Sequence, residues 1–204
     1  MEKREIVNAV FQQVGEIAKT ADFVEAGLSS FDVASLCKKG QLLRIRNGFY
    51  QLPGSEKPKE EYLLSRFLPQ GIVCLESALF YYGYSDFAPR AWTVAVPRSF
   101  SRSIKAMGSF PIKAYYVQNE FYRYGVASSE FNGVPLSVYD RERTICDCFK
   151  YRTKLDSEIF NKAINAYVAD ANKNLANLSK YAKDMKIYKK MMPVMEVLLN
   201  GRIS

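Results

Sequence analysis

Apolar side chains recur at helical spacing over residues 4–18, and polar side chains fill most of the positions between them. The apolar positions that define this stripe are Ile6, Val10, Val14 and Ile17. A stripe of this kind predicts an amphipathic helix whose apolar side packs against a core.

Two shorter helices are predicted to follow. Thr20 is placed to cap the first of them, and Gly27 suits the left-handed stop at its end. Ser29 or Ser30 is placed to cap the second, where Asp32 complements the positive end of the helix dipole. The tight turn between the two helices fits the corner of a helix-turn-helix.

A hairpin is the sharpest local pattern in the chain. Residues 42–46 and 49–52 resemble short strands, and Asn47 and Gly48 join them. Asn-Gly between such runs favours a type I′ turn, in which both central residues take a positive φ. Three helices followed directly by this hairpin predict a winged helix-turn-helix.

Residues 53–59 are polar and contain two prolines, which indicates a boundary between domains. We therefore predict a winged helix-turn-helix domain over residues 1–54 and a second domain over residues 59–204. The fold class is α+β: the winged helix-turn-helix precedes a mixed α/β C-terminal domain that ends in helices.

The second domain mixes both kinds of element. Helices are predicted at 60–67, 75–82, 141–151 and 156–168, strands at 92–96 and 112–117, and a hairpin over 125–139 around Asn132 and Gly133. A lysine-rich tail over residues 172–199 is predicted to be helical, with an interruption near Pro193.

The chain carries a surplus of positive charge, with a formal net charge of +8 at pH 7. Such a surplus favours acidic partners such as nucleic acid, although it also serves solubility. The sequence shows neither an apolar run of membrane-spanning length nor a signal peptide, so we expect a cytoplasmic protein without membrane contact. Its four cysteines are then expected to be reduced thiols.

The sequence contains no histidine, which excludes Ser-His-Asp and Cys-His triads, HExxH zinc sites and acid–base catalysis by histidine. Cys146 and Cys148 lack the second close pair that would complete a zinc site, so we expect ordinary buried thiols. We expect no catalytic residues, no cofactor and no metal, in a protein that is not an enzyme.

Asp140, Glu142 and Asp147 come nearest to a carboxylate cluster. Arg143 and Asp147 are four residues apart on a predicted helix, and an ion pair on the protein surface accounts for both of them.

Four cations and no carboxylate lie between residues 38 and 47. In a winged helix-turn-helix the third helix enters the major groove of DNA and the wing lies along the backbone or the neighbouring minor groove. Cationic side chains there pair with phosphates, and serines at a helix start suit a phosphate oxygen. The predicted DNA-binding residues are Ser29, Ser30, Ser35, Lys38, Lys39, Arg44, Arg46 and Asn47. The alternative is that these lysines only complement the end of the helix and that the arginines form a solvated strand face.

Three sequence blocks resemble the AbiEi-type antitoxins of type IV toxin–antitoxin systems. The first block runs from Gly27-Leu28-Ser29 through residues 36–42 to Arg46-Asn47-Gly48-Phe49-Tyr50. The second is Leu75-Glu76-Ser77-Ala78-Leu79, followed by Gly83-Tyr84 and the strand at 93–97, and the third is residues 141–147. The blocks occur in the order found in that family.

Two positions depart from the family pattern. Asn47 stands where the family often has a basic residue, and Cys74 stands where a histidine commonly precedes the Glu-Ser pair. The second departure argues against a polar pocket around Glu76.

The resemblance implies a repressor of its own operon, which binds inverted repeats in double-stranded promoter DNA. An inverted repeat implies two copies of the chain on the DNA, which makes a dimer the candidate state there. The resemblance also implies an antitoxin that opposes a nucleotidyltransferase-like toxin without a stable complex between the two. The family associates this second activity with the C-terminal domain.

Three other interpretations stay open. The protein could be a winged-helix transcriptional regulator whose C-terminal domain binds a small effector. It could be a DNA-targeted nuclease that holds a metal on Asp140, Glu142 and Asp147. Finally, the winged helix could be a protein-interaction module, in which case DNA binding would be absent or insensitive to salt.

Overall fold

The computed structural model describes residues 2–201, which fold as two compact units. The first unit comprises the residues up to Phe67 together with Lys105–Gly108, and the second comprises Leu68–Ile104 and the residues from Ser109 onward. Both units contain helices and strands, which confirms the α+β class. None of the helices described is long and apolar enough to span a membrane.

The first unit has the order of elements expected of a winged helix-turn-helix. Its elements are α1 (Lys3–Val14), β1 (Ala18–Lys19), α2 (Thr20–Glu25), α3 (Ser30–Lys38), β2 (Leu43–Arg46), β3 (Phe49–Gln51) and α4 (Glu60–Phe67). The strands form an antiparallel sheet in the order β1-β3-β2. Phe23 lies at the centre of the core, with edge-on contacts to the rings of Phe11 and Tyr50. The predicted linker at 53–59 is irregular, and the first unit continues beyond it through α4. The assignment of 1–54 and 59–204 as separate functional domains stays a prediction.

The first predicted helix is shorter than its apolar stripe. Helix α1 ends at Val14 because Gly15 adopts a φ of 85°, and the predicted extension to residue 18 is therefore wrong. Ile17 and Ala18 are fully buried, but Ala18 lies in a strand opposite Tyr50. A buried strand next to a helix end continues the apolar pattern, which is why the two could not be separated by periodicity.

Helix α2 begins one residue earlier than predicted. Lys19, rather than Thr20, is its cap residue, and the backbone N–H of Lys19 donates a hydrogen bond to the carboxylate of Asp22 at 2.7 Å. Thr20 is the first helical residue.

The hairpin is present, but its turn is not type I′. Gly48 adopts a φ of 77°, whereas Asn47 does not adopt a positive φ. Arg44 lies opposite Tyr50 and Arg46 lies opposite Phe49, so strand β2 contains a bulge at the residue between the two arginines. A bulge absorbs one residue and increases the local twist, which removes the need for the mirror-image turn.

The second unit is built on a five-stranded mixed sheet in the order β6-β5-β4-β8-β7. Its strands are β4 (Ile72–Val73), β5 (Trp92–Pro97), β6 (Ile112–Val117), β7 (Val126–Phe131) and β8 (Val134–Tyr139). Its helices are α5 (Leu75–Tyr81), α6 (Ser101–Lys105, whose last residue belongs to the first unit), α7 (Asn119–Tyr122), α8 (Arg141–Lys150), α9 (Ser157–Ala169), α10 (Leu175–Asp184) and α11 (Tyr188–Asn200). Asn132 and Gly133 both adopt a positive φ, so the second Asn-Gly pair does form the predicted hairpin.

The helical tail is interrupted earlier than predicted. Helix α10 ends at Asp184, Lys186 adopts a φ of 58°, and the N–H of Ile187 bonds to the carbonyl of Ala182 at 2.9 Å. This pattern is a left-handed helix stop. Pro193 lies inside α11, so the expected interruption near that residue is wrong.

Arg143 and Asp147 form a buried ion pair, and the prediction of a surface pair is wrong. The side chains are 0% and 2% exposed, and Nε of Arg143 lies 3.2 Å from a carboxylate oxygen of Asp147. The guanidinium also donates to the carbonyls of Phe121 and Tyr124 and lies 4.2 Å from the ring centre of Tyr139. Because burial disfavours a charge, these partners are needed to hold the arginine inside the protein.

The other carboxylates of the predicted cluster are also engaged. Asp140 caps α8 and accepts a hydrogen bond from the hydroxyl of Tyr181 at 2.9 Å. Glu142 accepts bonds from the hydroxyl of Tyr167 and from the backbone N–H of Asn174. These bonds tie α8 to α9, to α10 and to the residue before α10. Cys146 and Cys148 are fully buried thiols on the same helix.

Removal of the arginine from the buried pair is expected to destabilise the protein strongly. Arg143→Met leaves the Asp147 carboxylate without its charged partner, and we expect a loss of about 3–5 kcal/mol in the free energy of unfolding. Urea unfolding measures this change. Arg90→Met, at an exposed arginine, is the matched control and is expected to change stability by less than about 0.5 kcal/mol. An equally small effect of Arg143→Met would contradict the role given to the pair.

Candidate nucleic-acid interface

The start of helix α3 is closed by a reciprocal capping box. The hydroxyl oxygen of Ser29 accepts a bond from the N–H of Asp32 at 3.1 Å, and the N–H of Ser29 donates to the Asp32 carboxylate at 3.0 Å. Lys3 forms an ion pair with the same carboxylate. The hydrogen bonds from Lys3 and Ser29 hold the pKa of Asp32 well below its usual value. The prediction that a serine caps this helix is confirmed for Ser29, whose side chain is therefore occupied within the protein.

The rotation of α3 is set by the residues that it buries. Val33 and Leu36 point into the core of the first unit. With about 3.6 residues per turn, Ser30, Ala34 and Lys38 form one row at a spacing of four residues, which runs from the flank of the buried side to the side opposite it. All three of these residues are exposed.

Phe31 lies beside this row and is 82% exposed. The sequence-based prediction included neither Phe31 nor Ala34, because it considered only polar and cationic side chains as contacts for DNA. The signal was available, since positions 31 and 34 are out of phase with the buried positions 33 and 36. We use the name outward face of α3 for Ser30, Phe31, Ala34 and Lys38. Of the other predicted residues on α3, Ser35 is half-buried at the edge of this face.

The end of the wing carries two polar side chains that are bonded to each other. Arg44 in β2 is exposed, and its guanidinium donates a hydrogen bond to the side-chain oxygen of Asn47 in the turn. Lys39, the residue that follows α3, is also exposed. The side chains of Arg44 and Lys39 are therefore both accessible to solvent.

Arg46 has a different environment from Arg44. It is half-buried, and its guanidinium carbon lies 4.9 Å from the ring centre of Phe49 and 4.5 Å from that of Phe67. One of its terminal nitrogens lies 3.1 Å from the sulfur of Met107. Burial lowers the pKa of this arginine from its usual value. Arg46 thus joins the wing to the end of α4 and to the segment Lys105–Gly108.

The eight predicted residues therefore fall into two groups. Those with side chains open to solvent are Ser30, Lys38, Lys39, Arg44 and Asn47, and those held by the protein or half-buried are Ser29, Ser35 and Arg46. The part of the chain described contains no cluster of three or more side chains suited to binding a metal ion.

The first unit is a winged helix-turn-helix, since its three helices are followed directly by a wing. The third helix exposes a row made of two small residues and one lysine. Residues 5–53 match the family model of the transcriptional regulator, AbiEi antitoxin. The match spans the elements from α1 to β3, and it confirms the resemblance for the first unit. The match to this family does not extend into the second unit.

Among solved structures, the chain is similar to the crystal structure of the RV2827C protein from Mycobacterium tuberculosis, with a TM-score of 0.59. The similarity covers 88% of this chain and 70% of that chain at 13% sequence identity, so it shows a shared fold alone. No curated protein matches the chain.

The two arginines of strand β2 are expected to respond differently to truncation. Arg46→Ala removes the side chain that packs on two aromatic rings, and we expect a loss of about 1–2 kcal/mol in the local stability of the wing and α4. Hydrogen–deuterium exchange of peptides from these segments measures the loss. Arg44→Ala, in the same strand, is the matched control; it removes only an exposed hydrogen bond to Asn47 and is expected to change the exchange much less. Equal effects of the two variants would show that the packing around Arg46 does not stabilise the wing.

Proposed function

We propose that this protein is a DNA-binding transcriptional regulator and antitoxin, whose winged helix represses its own operon. The observation that supports the proposal is the outward face of α3, on which Lys38 and the small residues Ser30 and Ala34 are exposed. In a winged helix-turn-helix the third helix is the one that enters the major groove. This face lies in the residues that match the family of antitoxin regulators.

Each open side chain has a distinct role in the proposed complex. Ser30 and Lys38 enter the major groove with α3, where lysine pairs with a phosphate or with the acceptors of guanine. Lys39, Arg44 and Asn47 contact the DNA backbone on either side of the groove. The backbone amides of Ser30 and Phe31, which the capping box does not use, suit a phosphate oxygen, with Ser29 acting through the helix cap.

Arg46 acts indirectly in this proposal. Because its guanidinium is packed against the rings of Phe49 and Phe67, it orients the wing and leaves phosphate pairing to Arg44. Two winged helices are needed to read an inverted repeat, so we propose that two copies of the chain occupy the operator.

The antitoxin activity is proposed for the second unit. The family resemblance supports opposition to a nucleotidyltransferase-like toxin without a stable complex, in the cytoplasm. We propose a protein that is not an enzyme. The engagement of Asp140, Glu142 and Asp147 by neighbouring side chains and backbone supports a structural role for these carboxylates over a nuclease site.

Removal of the open cations is expected to weaken DNA binding in a salt-dependent way. For the combined variant Lys38→Ala, Lys39→Ala and Arg44→Ala we expect at least about tenfold weaker binding to the upstream promoter fragment at about 0.1 M salt. The slope of log affinity against log salt is expected to fall by about 2 to 3, because each lost phosphate contact removes about 0.9. Fluorescence anisotropy over a salt series measures both quantities.

A matched control removes the same charge from exposed positions of the second unit. The combined variant Lys180→Ala, Lys189→Ala and Lys190→Ala is expected to bind the fragment like the wild-type protein. Equal loss in both variants would mean that net charge alone drives binding. Binding that is absent, or that ignores salt, would favour a protein-interaction module instead.

A further inference from the structure

Phe31 is the most exposed of the large apolar side chains that the described structure leaves in solvent, at 82%. Single apolar residues are common on protein surfaces and carry no meaning by themselves. Phe31 differs by its position, since it is the second residue of α3, on the side of the helix opposite Val33 and Leu36.

The neighbours of Phe31 leave room for close approach. Ser30 and Ala34 are small and exposed, and they are the neighbours of Phe31 on the outward face of α3. Lys38 lies in the same row, two turns further along the helix. A polyanion attracted by Lys38 would therefore contact a helix surface of small side chains, from which the ring of Phe31 protrudes.

The chemistry of the ring limits what it can recognise. A phenyl group neither donates nor accepts a conventional hydrogen bond, so it cannot pair with phosphates or with the polar edges of the bases. The 5-methyl group of thymine is the apolar group that base pairs display in the major groove, and phenylalanine is one of the side chains that contact it. The first residues of a recognition helix are those that reach base edges.

We propose that Phe31 is a specificity-determining residue that reads thymine through its 5-methyl group in the major groove. This inference rests on the proposed function, because it requires α3 to enter DNA. Ser30 and Ala34 allow the helix to come close enough for the ring to reach the methyl group, and Lys38 supplies attraction that does not depend on the base.

The test compares the promoter fragment with a copy in which every thymine is replaced by uracil, which differs by the missing 5-methyl group. We expect wild-type protein to bind the uracil fragment about fourfold more weakly for each methyl group that is contacted. Phe31→Ala is expected to bind both fragments with the same affinity, at the level of wild type on the uracil fragment. Fluorescence anisotropy with both proteins and both fragments gives the coupling between the ring and the methyl group.

Val24→Ala is the matched control, since Val24 is an apolar residue of α2 that is 50% exposed. This variant is expected to distinguish the fragments as the wild-type protein does. Circular dichroism of Phe31→Ala is expected to match wild type, because the ring is exposed.

Equal affinity of wild type for the two fragments would overturn the inference, and so would equal losses in wild type and Phe31→Ala. Either result leaves salt-dependent DNA binding, and hence the proposed function, in place. If wild type shows no salt-dependent binding to the thymine fragment, the proposed function fails and the inference fails with it.

Discussion

The burial of Val33 and Leu36 is the constraint on which the candidate interface depends. These two side chains pack with Phe23 in the core of the first unit, and their burial fixes the rotation of α3 about its axis. Ser30, Phe31, Ala34 and Lys38 consequently face solvent. The capping box between Ser29 and Asp32 fixes where the helix begins, and so places Ser30 and Phe31 in the first turn of α3. The hydrophobic effect thus sets the orientation of a polar surface.

The wing shows where local sequence patterns were sufficient and where they were not. The strand pattern around Asn47 and Gly48 predicted a hairpin, because short-range pairing is encoded in neighbouring residues. The bulge in β2 and the packing of Arg46 were not predicted, because Phe67 and Met107 contribute to that packing from positions far along the chain. Strand β1 was missed for a similar reason, since Ala18 is a strand residue only because Tyr50 pairs with it.

In the second unit, the spacing of four residues between Arg143 and Asp147 is compatible with either an exposed or a buried ion pair. Residues four apart on a helix form an ion pair equally well on a surface or in a core, so the sequence could not decide between them for Arg143 and Asp147. Whether the pair is buried depends on groups outside helix α8. The ring of Tyr139 covers the guanidinium of Arg143. Gly125, with a φ of 72°, lies next to Arg143 and leaves space for it. A side chain at position 125 would place its Cβ atom only 2.7 Å from Cβ of Arg143. The block of residues 141–147 therefore contributes an interior framework rather than an exposed carboxylate cluster.

Hydrogen–deuterium exchange of the full chain, with and without the upstream promoter duplex, tests the central claim most directly. Contact of DNA with the outward face of α3 and the wing predicts slower exchange in peptides that cover residues 29–39 and 43–48, whereas peptides from α9 to α11 are unchanged. Slower exchange confined to the second unit, with α3 and the wing unchanged, would contradict the account.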